Sequence, residues 1–347
     1  MTRDGGKQKQ MRLAVLSNEK LNPWVNWTTL GPPLLHPLST YEGAELISPP
    51  RLTGSAAREW LALSRRLNSK DTVFWMQGAS RPEIPVHLAS LLAGRARRSA
   101  FVVDAWRYLL PKIGTLAVLQ GLNPCFVAFR EAYLELSARF PRGSFQWLPF
   151  GVDTTVFNAT PRPRPIFAYW MGRRYEPLHR AMIRYCAARK LTYVYTTRGG
   201  EIADPHELGR LVGSSEYFLV APPNLANPER TGGYSPFVMR YLEGLAAGTR
   251  LLGTLPASGE YQLLLPRDAI LEVASDGSDL ADKLDADRAD PIVWKAVDRA
   301  SALVRDRHSW SRRAEQVFCY LKSGTVPDFS FDKSNSSLHT DMWRYTY

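Results

Sequence analysis

The segment from Gly232 to Thr254, GGYSPFVMRYLEGLAAGTRLLGT, constrains the fold of this chain more than any other part of the sequence. It opens on a glycine pair, and the residues from Pro236 to Ala247 have the pattern of a helix with proline in its first turn. Gly248 stands where a glycine would end that helix, and Thr249 to Thr254 is an apolar run typical of a strand. The segment predicts a loop, a helix and a strand in succession.

A glycine-rich loop that leads into a helix is well suited to bind an anion, because the first backbone N–H groups of a helix are unpaired and its dipole is positive there. One carboxylate, Glu243, lies about two turns further along the predicted helix. The arrangement suits a ligand with phosphates at the helix start and hydroxyl groups deeper along the helix. A nucleotide-sugar fits that description.

Apolar runs and amphipathic segments alternate through the rest of the chain, as they do in parallel α/β sheets. Strands are predicted at 11–17, 71–77, 99–103, 115–119, 166–171, 192–197, 217–221 and 269–273. Helices are predicted at 55–68, 85–96, 124–140, 178–189 and 206–212, and from 279 onward. Residues 18–37 and 224–234 are predicted to be loops. The fold class indicated is α/β, with two sheets.

The 347 residues are enough for two domains, each with its own core. The proline-rich residues 158–165 are predicted to be a stiff linker between a first domain over 11–157 and a second over 166–307. Residues 1–10 are polar and are expected to be disordered. A terminal helix is predicted over 308–323, followed by a tail over 324–347.

Cys125, Cys186 and Cys319 form no CxxC pair, so neither a disulfide framework nor a zinc site is indicated. No stretch reaches the roughly 18 apolar residues of a membrane span. The apolar run near the N-terminus, LAVL, is too short for a signal peptide. We expect a cytoplasmic protein with reduced thiols.

The formal charge is +11, and it is unevenly distributed. Between Pro161 and Lys190 there are eight Arg or Lys residues and one acid, Glu176. No recognition motif accompanies this charge, so nucleic acid is not the expected partner. Solvated surface, a phosphorylated substrate and peripheral contact with an anionic membrane each explain it.

Residues 235–254 resemble the signature of GT-B glycosyltransferases of the "group 1" type, a retaining, family-4-like class. That signature has two glutamates eight residues apart, followed by Ala-Met-Ala-x-Gly-x-Pro-Val. The second glutamate falls on Glu243, and in the family it bonds the ribose hydroxyls of the donor. The first, which faces the donor sugar, falls on Ser235. The resemblance implies retention, while the donor sugar and the stereochemical outcome stay open at Ser235.

Two further segments resemble this family. Residues 146–157, QWLPFGVDTTVF, are similar to the segment that closes the first domain, with Phe150 in place of an asparagine. Residues 308–322, HSWSRRAEQVFCYLK, are similar to the terminal helix that folds back across the domain junction. The resemblance therefore implies two Rossmann-like domains that face each other across a cleft, an acceptor domain followed by a nucleotide-sugar domain.

The resemblance also places the donor diphosphate. In the family, Gly-Arg follows the first strand of the second domain, and a lysine a few residues later completes the pair of cations. Gly172 and Arg173 match, but Leu178 occupies the lysine position, so a neighbouring cation would have to substitute. The neighbouring candidates are Arg174, His179 and Arg180. The full set of donor-binding residues implied is Gly172, Arg173, Arg174, Arg180, Pro222, Ser235, Pro236, Phe237, Val238 and Glu243.

In the first domain the sequence offers fewer candidates. Asp104 follows a predicted strand, where catalytic groups cluster in open α/β sheets, so it is either a base or a helix cap. Trp24 and Trp27 would stack on a sugar or pack internally. With Arg173 and Glu243, Asp104 completes the predicted catalytic set.

The function predicted is transfer of a sugar from a UDP-, GDP- or dTDP-sugar to a hydroxyl of a sugar, lipid-linked or small-molecule acceptor. The sequence has no Asp-x-Asp in a predicted strand-end loop and its six histidines are scattered, so neither a metal nor another cofactor is expected. The alternatives are an epimerase of the same fold, a transferase with a non-carbohydrate acceptor, and a catalytically silent relative that binds sugar or nucleotide.

Overall fold

The structure is a computed structural model, and it describes residues 10–17, 30–78, 84–196 and 204–331. Trp24, Trp27, residues 1–9 of the predicted N-terminal extension and the end of the predicted tail lie outside the described residues.

Six parallel strands form the first sheet, in the order β2-β1-β3-β4-β5-β6. They are β1 (Leu13–Leu16), β2 (Ala44–Ile47), β3 (Thr72–Gly78), β4 (Arg97–Val103), β5 (Leu122–Val127) and β6 (Phe145–Trp147). The helices are α1 (Gly31–Ser39), α2 (Ala57–Asn68), α3 (Ile84–Leu92), α4 (Leu110–Gln120) and α5 (Arg130–Arg139). All four residues of β1 are buried, as expected for a parallel strand that helices cover on both faces.

Five parallel strands form the second sheet, in the order β11-β10-β9-β7-β8. They are β7 (Ile166–Trp170), β8 (Tyr193–Tyr195), β9 (Ser215–Val220), β10 (Arg250–Gly253) and β11 (Ile270–Glu272). The helices are α6 (Glu176–Arg189), α7 (Pro205–Gly213), α8 (Pro223–Ala226), α9 (Pro228–Thr231), α10 (Met239–Ala246), α11 (Glu260–Leu264), α12 (Leu280–Ala289) and α13 (Val293–Arg307). In both sheets the ligand-facing edge is the carboxyl end of the strands.

The last helix, α14 (Trp310–Ser323), returns to the first sheet. Ser309 caps it by accepting a hydrogen bond from Arg312 N through its Oγ, at 3.2 Å. The ring of Phe318 stacks on Tyr41 with centroids 4.4 Å apart, and Tyr320 packs edge-on against Phe126 of β5. The predicted crossing helix is confirmed, and its apolar face forms part of the first core.

Two predictions in the first domain are wrong. The run predicted as a strand at 115–119 lies inside α4, with Ala117 buried and Leu119 77% exposed. The helix predicted over 124–140 is instead the end of β5 followed by α5 from Arg130. Gly121, whose φ is +62°, is the residue at which α4 ends. A short apolar run does not by itself distinguish a buried strand from a helix face.

Two predicted loops contain helices. The loop predicted over 18–37 includes the start of α1, whose first turn carries prolines and therefore needs no N–H partner there. The loop predicted over 224–234 contains the one-turn helices α8 and α9, each with proline at its start. Runs rich in Pro, Gly and Asn were interpreted as irregular although proline in a first turn favours helix.

Candidate active site

Glu243 lies in the middle of α10 and is 5% exposed. Its Oε2 atom is buried and has no hydrogen-bond partner among the described residues. Burial raises the pKa of Glu243 to about 7, and the charge of Arg240 opposes the rise. Leaving a buried acceptor unpaired costs on the order of 1–3 kcal/mol. The helix therefore holds an acceptor that a ligand hydroxyl would satisfy.

Two glycines explain how α10 brings this carboxylate to the sheet. A Cβ at Gly244 would come within 2.6 Å of side-chain carbons of Phe218 and Leu251, so only glycine lets the helix approach β9 and β10 this closely. Gly248 has a φ of +64° and donates its N–H to Leu245 O at 2.9 Å, ending the helix as predicted. This close packing holds α10, and Glu243 with it, against strands β9 and β10.

The helix begins at Met239 and not at Pro236, which corrects the predicted boundary. Val238, the residue before it, is extended, with a φ of −118° and a ψ of 160°. The N–H of Phe237 is held at 2.7 Å by Glu260 Oε2, and no side chain caps the first turn of α10. The unpaired amides of the helix start are thus those that follow Val238.

The glycine-rich loop is bonded differently from the prediction. Ser235 is buried, its N–H donates to Glu131 Oε2 at 3.0 Å, and its Oγ accepts from Ala257 N at 3.0 Å. Pro236 has no N–H to offer, and the N–H of Phe237 is taken by Glu260. Protein carboxylates already bind two amides of this loop, so an anion would meet the first turn of α10 instead.

Arg173 lies in the turn between β7 and α6, directly after Gly172, whose φ is +74°. Its side chain is exposed and makes no hydrogen bond or ion pair within the described ranges. Its carbonyl accepts from Trp170 Nε1 at 3.1 Å and from Arg240 Nη1 at 3.4 Å. Since Arg240 belongs to α10, the structure brings the Arg173 turn next to the helix that carries Glu243.

The three residues proposed to replace the missing lysine contact other groups. Arg174 donates to Thr196 O at 2.8 Å and lies over the Tyr195 ring. His179 is buried, with Nδ1 2.8 Å from Tyr193 Oη, and burial lowers its pKa. Arg180 is exposed, with Nε 3.9 Å from Glu176 Oε2. The cation that contacts the Arg173 turn from α10 is Arg240, which the sequence analysis did not identify because the contact joins residues 67 positions apart.

Tyr169, in β7, is a second residue that the sequence analysis missed. It is fully buried, and its hydroxyl has no hydrogen-bond partner in the part of the chain that the structure describes. Burial raises the pKa of Tyr169 to about 12, and the nearby charge of Glu243 adds to the rise. A tyrosine in the apolar run IFAYW was the available signal. Pro222 lies two residues after the end of β9 and directly precedes α8, where Asn224 Oδ1 is also buried and has no hydrogen-bond partner among the described residues.

Asp104 follows the last residue of β4 with a φ of +55°, a left-handed conformation that is rare outside glycine. Its Oδ2 is 3.5 Å from Arg230 Nη2, which lies in α9 of the second domain. Although 46% of its side chain is exposed, desolvation raises the pKa of Asp104, and Arg230 opposes the rise. Trp106 and not Asp104 precedes the short helix that follows, so the helix-cap alternative is not supported.

Several cations of the basic stretch have structural partners. Arg164 is buried and donates to Ser215 O at 2.7 Å, fixing the predicted linker to the second sheet. Arg162 lies over the Trp294 ring, and Arg189 pairs with Asp285. The described residues contain no His, Cys, Asp and Glu group suited to a metal ion, and none of their helices is both long and apolar enough to cross a membrane. Contact with an anionic membrane stays a prediction.

Residues 173–318 match the family model described as "Glycosyl transferase-like". The match runs from the Arg173 turn into α14 and includes both Arg173 and Glu243. No protein of curated function matches the sequence.

Solved structures with the same fold cover both sheets. Sucrose-phosphate synthase from Thermosynechococcus elongatus is 12% identical, with a TM-score of 0.52 over 91% of this chain and 100% of that one. HepE from Anabaena, solved in complex with UDP and glucose, is 11% identical, with a TM-score of 0.55 over 90% of this chain and 100% of that one. At these identities the likeness shows the fold, which is two Rossmann-like domains.

Proposed function

We propose that the chain is a glycosyltransferase that moves a sugar from a nucleoside diphosphate sugar to an acceptor hydroxyl, without a metal ion and with retention, as its GT-B fold and its family-model match support. The observation that carries the donor assignment is the buried Oε2 of Glu243, which has no hydrogen-bond partner among the described residues. A ribose offers two hydroxyl donors to such an atom. HepE, with the same fold, was also solved with UDP-glucose, which supports a donor of this class.

The diphosphate of the donor would lie between the Arg173 turn and the first turn of α10. Arg173 has an exposed side chain without a partner among the described residues, and the half-buried Arg240 reaches the same turn. Two guanidinium groups match two phosphates through charged hydrogen bonds. The first backbone N–H groups of α10, which follow Val238 and have no side-chain cap, add positive charge at this end of the helix.

In the reaction, the bond between the sugar C1 and the β-phosphate oxygen breaks, and the acceptor oxygen forms a new bond to C1. With retention, the leaving phosphate accepts the proton of the acceptor hydroxyl on the same face. Negative charge grows on the phosphate in the transition state, so fixed cations there accelerate the step. Arg173 and Arg240 supply this charge in place of a divalent ion.

Asp104 would hold the acceptor hydroxyl. It lies at the carboxyl end of a strand of the first sheet, facing Arg230 of the second domain. Its strained backbone is of the kind found at functional sites. A carboxylate here orients the hydroxyl for a retaining transfer, and it would act as the base if the transfer inverted.

A second candidate is a relative that binds the donor without transferring its sugar. Ser235 favours it, because its short side chain is buried and bonded to Ala257 N, so this position offers no carboxylate to a sugar. In that case Glu243 would still bind the nucleoside, and no transfer would follow.

Two assays distinguish the transferase from the silent relative. The first is a thermal-shift measurement with UDP, GDP and dTDP, and the second is hydrolysis of the matching nucleotide-sugars. A nucleotide at 100 times its dissociation constant stabilises the fold by about 2.7 kcal/mol. Binding with hydrolysis supports the transferase, and binding without hydrolysis or transfer supports the silent relative. No shift with any of the three nucleotides contradicts the donor assignment.

A further inference from the structure

The glycine-rich loop of the second domain, residues 232–238, lies against the start of α5 in the first domain. Glu131 Oε2 accepts the N–H of Ser235 at 3.0 Å, and Glu135 Oε2 accepts the hydroxyl of Tyr234 at 2.7 Å. A Cβ at Gly232 would come within 3.0 Å of Arg107 Cβ, so the two domains touch closely here. The loop that leads to the donor helix is therefore in direct contact with the predicted acceptor domain.

Glu260 is at the centre of this contact. It is the first residue of α11 in the second domain and is 1% exposed. Its Oε1 accepts the N–H of Arg130, the first residue of α5, at 2.7 Å. Its Oε2 accepts the N–H of Phe237 at 2.7 Å and the hydroxyl of Ser258 at 2.8 Å. One oxygen thus binds the first domain, while the other binds the donor loop.

We propose that Glu260 is a positioning residue that ties the donor loop to the first domain and so sets the closed arrangement in which donor and acceptor meet. The inference rests on the proposed function, since it assigns the loop a part in presenting the donor. Glu260 itself does not touch the reacting atoms. It acts through Phe237, two residues before the first turn of α10.

The residue type supports this role. A carboxylate is acceptor-only on both oxygens, so it can bind one backbone N–H from each domain at once. A buried acid at a domain contact carries a desolvation cost that an apolar residue of similar size would avoid. Glu131 and Glu135 make similar bonds at the rim, but neither of them joins Phe237 to α5.

The backbone bond between the domains can be tested separately from the Arg130 side chain, whose Nη1 also donates to Ser258 O of the second domain, at 3.4 Å. Arg130 is the first residue of a helix, where proline is favoured and its missing N–H disturbs no helical bond. The preceding residue, Phe129, has a φ of −97° and a ψ of 129°, which a following proline tolerates. Arg130→Pro therefore deletes the N–H that Glu260 Oε1 accepts. Arg130→Ala is the matched control, because it loses the same side chain and keeps the N–H.

The two variants are compared by small-angle scattering and by the hydrolysis rate of UDP-, GDP- and dTDP-glucose. We expect a larger radius of gyration for Arg130→Pro than for Arg130→Ala. We also expect about tenfold slower hydrolysis, as for a lost hydrogen bond to a charged group. The dissociation constant for the free nucleotide should be the same in both, because its proposed contacts lie in the second domain. Equal radii and equal rates would overturn the proposal.

Glu260→Gln provides a second test that does not depend on proline. The amide replaces one acceptor oxygen by a donor, so the side chain can no longer accept from both domains. We expect the same direction of change as for Arg130→Pro, and unchanged radius and rate would contradict the proposal. If the unmodified protein binds none of the three nucleotides, the donor assignment fails, while the radii still decide whether Glu260 ties the domains together.

Discussion

Asp104 Oδ2 lies 3.5 Å from Arg230 Nη2, and this pair connects the carboxyl end of β4 in the first domain to α9 in the second. Asp104 holds its left-handed backbone at a position where most side chains would be strained. Arg230 also lies over the ring of Trp106, 5.3 Å from its centroid. The Asp104–Arg230 pair thus joins the two domains beside the buried indole of Trp106.

Asp104→Gly should separate strain from function. Glycine adopts a φ of +55° freely, so we expect the melting temperature to stay the same or to rise, with a gain of up to about 1 kcal/mol. Sugar transfer should fall at least about tenfold, because general base and orienting groups contribute on the order of 10²–10⁴-fold. Asparagine also tolerates this backbone conformation, so Asp104→Asn should remove only the negative charge. Full transfer by both variants would remove Asp104 from the site.

Arg173→Ala should reduce turnover more than nucleoside affinity, because the charge on the leaving diphosphate grows in the transition state. Arg173→Lys should restore only part of the rate, since an ammonium cannot reproduce a bidentate fork. The measurement is kcat together with the dissociation constants of nucleoside and nucleoside diphosphate.

Arg184→Ala is the control for this series. Arg184 is also exposed, lies in α6, and is not among the predicted donor-binding residues. Its removal changes the net charge equally and should leave kcat within about twofold. A phosphate role for Arg173 is contradicted if its loss weakens nucleoside and nucleoside diphosphate binding alike.

The pKa of Glu243 predicts how the stability of the unbound protein changes with pH. Burial raises that pKa from 4.5 to about 7, so between these values the folded state holds a proton that the unfolded state has lost. The stabilisation is complete below about pH 4.5 and is lost as pH rises to about 7. From the size of the shift we expect a change of about 3 kcal/mol. Glu243→Gln, which has no such proton, should lose less stability over this window.

Urea unfolding of both proteins at several pH values between 4.5 and 8 provides the measurement. The difference between the two curves isolates Glu243, because every other titrating group is common to both. Parallel curves would mean that the carboxyl of Glu243 is hydrated and that its ordinary pKa is retained.

Transfer should be unaffected by EDTA. Arg173, Arg240 and the positive start of α10 balance the diphosphate, and the same charges would repel a divalent ion. Once a donor and acceptor pair is found, the rate is measured with chelator and again with added Mn²⁺ or Mg²⁺. Loss of activity in EDTA that Mn²⁺ restores would place the diphosphate elsewhere.

The fold could be predicted because helix-ending glycines and apolar runs depend on residues that are close together in the sequence. Glycine at 248 ends α10 through its positive φ, and the apolar runs of β3, β4, β7 and β9 lie within buried strands. The apolar run that contains Ala117 and Leu119 belongs to a helix, and there the same signal wrongly predicted a strand. The terminal helix was recovered from its resemblance to a family segment.

The site was only partly predictable, because its contacts join residues far apart in the sequence. Glu260 and Phe237 bind across 23 residues, and Glu131 and Ser235 across 104. No local pattern marks such pairs, so the loop amides were expected to be open to an anion. Arg240 was likewise hidden in a helix whose contact with the Arg173 turn depends on the packing of α10 against the sheet.

The central claim is that Glu243 binds the ribose of a nucleoside diphosphate, and calorimetric titration of the unmodified protein and Glu243→Ala with UDP, GDP and dTDP tests it directly. At least one nucleotide should bind the unmodified protein, and Glu243→Ala should bind it at least about tenfold more weakly, since bonds to a charged acceptor contribute ~1.5–3 kcal/mol. Equal affinity of the two proteins for that nucleotide would contradict the account.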